Sequence, residues 1–185
     1  MKACGGSWAF AAASAVESKV AIEQGRLLNL SRQQLLDCVD ATTGFPSTDG
    51  CNTGSLPPSQ LVRLSSLPRN IVPSRATSLM EAVSQQPVVV ALWWPEVFDG
   101  SKGIYNGPCP DAPASSEAEQ DEYTRLYGQG GNAYAVVVGY NASAGIGVPG
   151  SYWKLKTSWN PEYKYLALTA VGNGECGILS APIAP

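Results

Sequence analysis

Cys4-Gly5-Gly6-Ser7-Trp8-Ala9-Phe10 is the stretch whose reading decides the fold. Two glycines run straight into an alanine-rich segment. From Ser7 to Gln24 the apolar residues Phe10, Ala13, Val16 (or Glu17) and Val20 recur at helical spacing, and Gly25 supplies a stop. Ser7 heads this helix, where a serine side chain serves well as N-cap. That role is favoured over one as nucleophile.

Working outward, Ser31-Arg32-Gln33-Gln34 is a Ser-x-x-Gln capping box before Leu35, Leu36 and Val39, which predicts a second short helix. Residues 40–58 are turn-rich, and a third short helix is expected from Ser59 to Ser65. After Pro73 the character changes. Leu79 to Gln85 reads as a brief helix and Pro87 to Trp93 as a buried strand. Tyr134 to Tyr140, Tyr152 to Thr157 and Tyr165 to Val171 read as further strands. The expected class is α+β, with a helical lobe over residues 1–73 and a β-rich lobe over 74–185. Residues 110–131 hold Asp111, Glu117, Glu119, Asp121 and Glu122, a solvated insertion in preference to a binding arm.

Composition narrows the function classes. Apolar residues make up 44% and charged residues 15% of 185, which places the chain among globular proteins. The net charge of −3 and twelve scattered Lys and Arg give no footprint for nucleic acid. No apolar run is long enough to span a bilayer. No basic-then-apolar leader precedes the first motif, so no signal peptide is visible and a truncated N-terminus is expected. Five cysteines with 19 Gly and 14 Pro suit a disulfide-stapled protein of an oxidising compartment. With no histidine and no Cys-x-x-Cys pair, neither a metal nor another cofactor is expected.

Five ordered blocks resemble the papain-like cysteine peptidases. They are Cys4–Phe10; Leu30–Cys38 with Gly50-Cys51-Asn52-Thr53-Gly54; Gln86–Leu92 followed by residues 103–109; Asn132–Tyr140; and Tyr152–Trp159. Glu175-Cys176-Gly177-Ile178 completes the series. The resemblance implies the papain-like two-lobe fold, a helical N-terminal lobe facing an antiparallel, barrel-like β lobe across a cleft. It also implies an extracellular, lysosomal or vacuolar setting, and a monomer.

The chemistry that the resemblance implies does not carry over with the fold. By position the family's nucleophilic cysteine falls on Ser7, its histidine base on Ala133, its orienting asparagine on Thr157 and its oxyanion glutamine on Met1. A serine hydroxyl needs a base to take its proton, and general-base help is worth ~10²–10⁴ in rate. The nearest candidates, Tyr134 and Lys156, neighbour these positions on predicted strands. If Ala133 and Thr157 face the cleft, alternation turns Tyr134 and Lys156 away from it. Lys19, three helical turns on, is too far from Ser7.

The resemblance also pairs Cys4 with Cys51 and Cys109 with Cys176, leaving Cys38 free or re-paired. It makes Gly54, with Asn52 beside it, a main-chain contact for an extended peptide. Trp8 and Trp159 would contact a ligand or, in preference, pack beneath the site. Asn29-Leu30-Ser31 and Asn141-Ala142-Ser143 match the N-glycosylation triplet.

The expectation is therefore an inactive homologue that binds a peptide or protein in the cleft between its lobes. The rivals are a peptidase that retains proteolysis, including a serine-based hydrolase, and a decayed gene product without a selected role.

Overall fold

Alanine sets how closely the first helix approaches its neighbours. A computed structural model describes residues 6–38, 70–94, 102–109, 133–158, 161–169, 174–180 and 182–184. In it, helix α1 spans Ser7–Gln24. Trp8, Ala9, Ala11, Ala12, Ala13 and Ala15 are buried around most of its first half, as expected of a helix apolar on nearly every side. It ends where Gly25 adopts φ 65 and donates its N–H to the Ala21 carbonyl at 3.0 Å, a left-handed stop that glycine makes without a side-chain penalty.

Helix α2 spans Arg32–Cys38. The Ser31 hydroxyl accepts the Gln34 N–H at 3.1 Å, the serine half of the expected capping box. The helices are tied by Glu17, which is buried although it carries charge. Its carboxylate accepts the Leu30 N–H at 2.7 Å and the Arg32 guanidinium at 2.7 Å, so the cost of burying it is met by two charge-assisted hydrogen bonds.

The remaining elements are β1 (Asn70–Ile71), α3 (Ala76–Gln85), β2 (Val88–Leu92), β3 (Ile104–Tyr105), β4 (Ala133–Asn141), β5 (Tyr152–Lys156), β6 (Lys164–Ala167) and β7 (Ile183–Ala184), with a short 3₁₀ turn at Glu175–Gly177 before β7. The strands form one sheet in the order β1-β7-β2-β4-β5-β6-β3. Pairing is antiparallel except between β3 and β6, where Ile104 and Tyr105 run parallel to Tyr165 and Leu166. The predicted strands lie where expected to within a few residues. Helix α3 starts three residues before the expected Leu79, because Ala76 joins Leu79 in the core.

Strand β2 is buried on both faces, which explains its unbroken apolar run. Val88, Val90 and Leu92 enter a larger core with α3, whereas Val89 and Ala91 enter a smaller one with α1. Strand β4 divides the same way, Ala133, Ala135 and Val137 to the first and Tyr134 and Val136 to the second. Its register with β5 shifts between Val137 and Gly139, a bulge that bends the strand. The Cys109–Cys176 disulfide ties β3's downstream segment to the 3₁₀ turn. The expected helix at 59–65 and the acidic segment 110–131 lie outside the described residues.

Candidate functional site

Ser7 is the first residue of α1, and its hydroxyl oxygen accepts the main-chain N–H of Tyr134 at 3.2 Å. The cap position belongs instead to Gly6, at φ −79 and ψ 10, whose carbonyl accepts the Ala9 N–H at 3.1 Å; no side chain caps the helix. The expectation of Ser7 as N-cap is thereby corrected. Its hydroxyl reaches across to β4 because Gly6 already closes the first turn.

An N–H donor cannot take a proton. The bond from Tyr134 fixes the position of the Ser7 oxygen and engages one of its lone pairs, but does nothing to make it nucleophilic. No side-chain base is hydrogen-bonded to Ser7 among the described residues.

The structure decides which faces of the strands meet α1, a point the sequence makes conditional. Alternation holds along β4, but it is Tyr134 that points to α1, packing with Trp8 and the helical alanines. Ala133, 6% exposed and opposite Leu92, packs into the core on the other face. Lys156 pairs with Val136, on the α1 side, instead of facing away. Period-two alternation gives parity alone, and with both faces of β4 apolar the sequence could not say which one meets the helix.

Ser7, Lys156 and Thr157 meet at a cavity of about 230 Å³. Helix α1 contributes Ser7, Phe10, Ala11 and Ser14, and α2 contributes Arg32. Strand β4 supplies Tyr134 to Val136, and the end of β5 with its next turn supplies Lys156, Thr157 and Ser158. The Thr157 hydroxyl is closed off from water and has no hydrogen-bond partner among the described residues. Arg32 is committed elsewhere, with Glu17, the Asn29 amide oxygen at 2.7 Å and the Leu30 carbonyl at 2.9 Å. Its guanidinium also lies over the Phe10 ring, 6.0 Å from the centroid.

Two of the four positions carried over from the resemblance, Ser7 and Thr157, thus border one cavity. Ala133 neighbours it through Tyr134, and Met1 lies outside the described residues. Trp8 is fully buried and cannot touch a ligand, so its role is packing. Gly54, Asn52, Trp159 and the Cys4–Cys51 pairing also lie outside the described residues. The Cys109–Cys176 bridge is present, and Cys38 is free and exposed at the end of α2. Both glycosylation candidates have engaged amide oxygens, Asn29 with Arg32 and Asn141 with the Ser143 N–H and hydroxyl at 3.0 and 2.8 Å.

Cys109, Glu175 and Cys176 gather three potential metal-ligand atoms, but the disulfide leaves no thiolate there. The sequence reading passed over Arg32 and Ser14. The available signal was Glu17, an acid in the apolar phase of α1 that requires a basic partner nearby.

Residues 1–60 match the profile described as papain family cysteine protease. Over 98% of its length the chain is 27% identical to probable cysteine protease RDL3 of Arabidopsis thaliana and 29% identical to ananain of Ananas comosus. A solved structure of the proform of Amb a 11, a ragweed pollen cysteine protease, superposes with a TM-score of 0.70 at 25% identity, covering 98% of this chain and 59% of that one.

This chain is similar to the papain-like cysteine peptidases over nearly its whole length.

The papain-like fold is α+β and carries a substrate cleft, and the solved relatives share it over nearly the whole chain. The chain spans about half the length of the curated relatives it matches, 52% of RDL3 and 55% of ananain. No helix among the described residues is long and apolar enough to cross a membrane.

Proposed function

We infer that this papain-family chain binds peptides in its cleft without cleaving them. One observation carries the reading: among 185 residues there is no histidine, so no imidazole is available to activate a nucleophile. By the motif resemblance, Ser7, Ala133, Thr157 and Met1 fill the positions of nucleophile, base, orienting amide and oxyanion donor. The Ser7 oxygen receives a hydrogen bond from Tyr134 and reaches no base among the described residues. The ligand is an extended peptide or a protein segment, with Asn52 and Gly54 as its main-chain contacts. In the same reading the lobes divide at residues 73 and 74, the protein is monomeric, and it works in an extracellular, lysosomal or vacuolar setting like that of papain-family proteins generally.

Incubation of purified protein with a peptide substrate library tests this. The expected result is no turnover; cleavage that disappears in Ser7→Ala would overturn it.

A serine hydrolase with Lys156 as base is the second reading, favoured by the cavity that Lys156 shares with Ser7. No hydrogen bond joins these two residues among the described ones. A fluorophosphonate probe separates the readings, since a working serine nucleophile is labelled and Ser7 as inferred here is not. A cooperative thermal transition of the same sample distinguishes a selected fold from a decayed product.

A further inference from the structure

Among the described residues the cavity at Ser7 is lined by positive charge and by no acid. Arg32 and Lys156 are among its described lining residues, and Asp and Glu are not. Arg32 is neutralised by Glu17 from behind. Lys156 is not, for it has no ion-pair partner among the described residues. It stands at the end of β5 on the face that meets α1.

Two further features point to an anion. The Thr157 hydroxyl, next in sequence to Lys156, is shut away from water with its hydrogen-bonding capacity unused, a state that buried polar groups rarely hold without a partner. The first turn of α1, which supplies Ser7, has neither an acidic residue nor a side-chain cap, so its positive dipole end is uncompensated. Each of these would be satisfied by ligand oxygens carrying negative charge.

We propose that the Ser7 cavity is an oxyanion site, with Lys156 as counter-charge and Thr157 as hydroxyl donor, and that it receives the C-terminal carboxylate of a bound peptide. The peptide half rests on the function inferred above; the oxyanion half does not. Size supports the assignment. A cavity of about 230 Å³ is several times a water's share of about 30 Å³, enough for a carboxylate and part of the residue bearing it. The ligand would then be recognised by its chain end, as a product of proteolysis and not as a substrate.

The test uses paired peptide libraries, identical except for a free-acid or an amidated C-terminus, together with titrations of acetate and inorganic phosphate at constant ionic strength. Wild type, Lys156→Met, Lys156→Arg and Thr157→Val are compared, each first shown to melt like wild type. Acid-terminated peptides are expected to bind about tenfold tighter than amides. Lys156→Met should abolish that preference, Lys156→Arg should keep it, and acetate should compete.

Equal binding of acids and amides would overturn the oxyanion site while leaving peptide binding intact. So would an unchanged preference in Lys156→Met. If acetate or phosphate binds in a Lys156-dependent way and no peptide of either form does, the oxyanion site stands with a free anion as its occupant. The peptide reading then falls.

Discussion

The Ser7 hydroxyl and the Tyr134 main-chain amide, 127 residues apart in sequence, meet in a hydrogen bond of 3.2 Å that joins the start of α1 to the start of β4. Its role is to hold helix to sheet, so removing it is a stability event and not a catalytic one. Ser7→Ala is expected to lower unfolding free energy by about 0.5–1.5 kcal/mol, and on the proposed reading neither it nor the wild type turns over peptides. Urea denaturation of the two proteins checks the first part. A stabilised variant would contradict the structural role.

The pair Glu17–Arg32 invites a sharper comparison. Glu17 is 7% exposed, and the Arg32 side chain is 26% exposed, so the bridge is buried mainly on the acid side. Arg32→Met leaves a buried carboxylate with the Leu30 N–H as its remaining charge-assisted partner. The expected cost is about 2 kcal/mol, below the full range for buried pairs because water reaches the guanidinium. Glu17→Leu with Arg32→Met removes the stranded charge and should recover part of that loss. A double-mutant cycle in urea measures the coupling; simple additivity of the two single changes would refute it.

Much of the fold was legible because local signals agreed with tertiary packing. The span Ser7–Gln24 follows from an alanine-rich run closed by Gly25, and β2 from five consecutive apolar residues. What could not be read was direction. Ser7 heads the helix in sequence, but its partner is a backbone amide across the protein, beyond the reach of any local pattern. Alternation ties the facing of Tyr134 and Lys156 to that of Ala133 and Thr157 without saying which face meets α1, because β4 is apolar on both faces. The start of α3 was missed because Ala76-Thr77-Ser78 has too little hydrophobic contrast to register as a helical turn. The site was partly legible: Ser7 and Thr157 do border one cavity, whereas the significance of Lys156 depended on which face met α1.

The cysteines give a chemical test. Cys176 adopts φ 52, a left-handed conformation unfavourable for a residue with a side chain. It is held there by the bridge to Cys109 and by the Trp93 N–H, which donates to its carbonyl at 2.8 Å. Replacing both bridge cysteines with alanine is expected to cost about 2–4 kcal/mol, seen as a lowered Tm. With Cys4 and Cys51 paired as the family resemblance implies, native wild-type protein should expose one fast-reacting thiol to a disulfide reagent, Cys38, which is free and exposed among the described residues. Loss of that reaction in Cys38→Ser would confirm the assignment, and its persistence would show that another cysteine is free.

Reinstalling the family's catalytic pair is the most demanding prediction. Ser7→Cys is nearly isosteric, but Ala133→His is not a simple replacement at the cleft. The Cβ of Ala133 belongs to the core on the face of β4 away from α1, opposite Leu92, and only 6% of the residue is exposed. An imidazole built there must either overpack that core, at about 1–3 kcal/mol, or twist the start of β4 and break the Tyr134 hydrogen bond to position 7. Thr157, placed where the family's orienting amide would be, has a hydroxyl but no carboxamide to hold such a ring. The double variant Ser7→Cys/Ala133→His is therefore expected to be destabilised and to show no measurable turnover of peptide substrates. Active-site labelling by E-64 together with peptide cleavage would show that the cleft geometry is intact and that residue identity alone had silenced it.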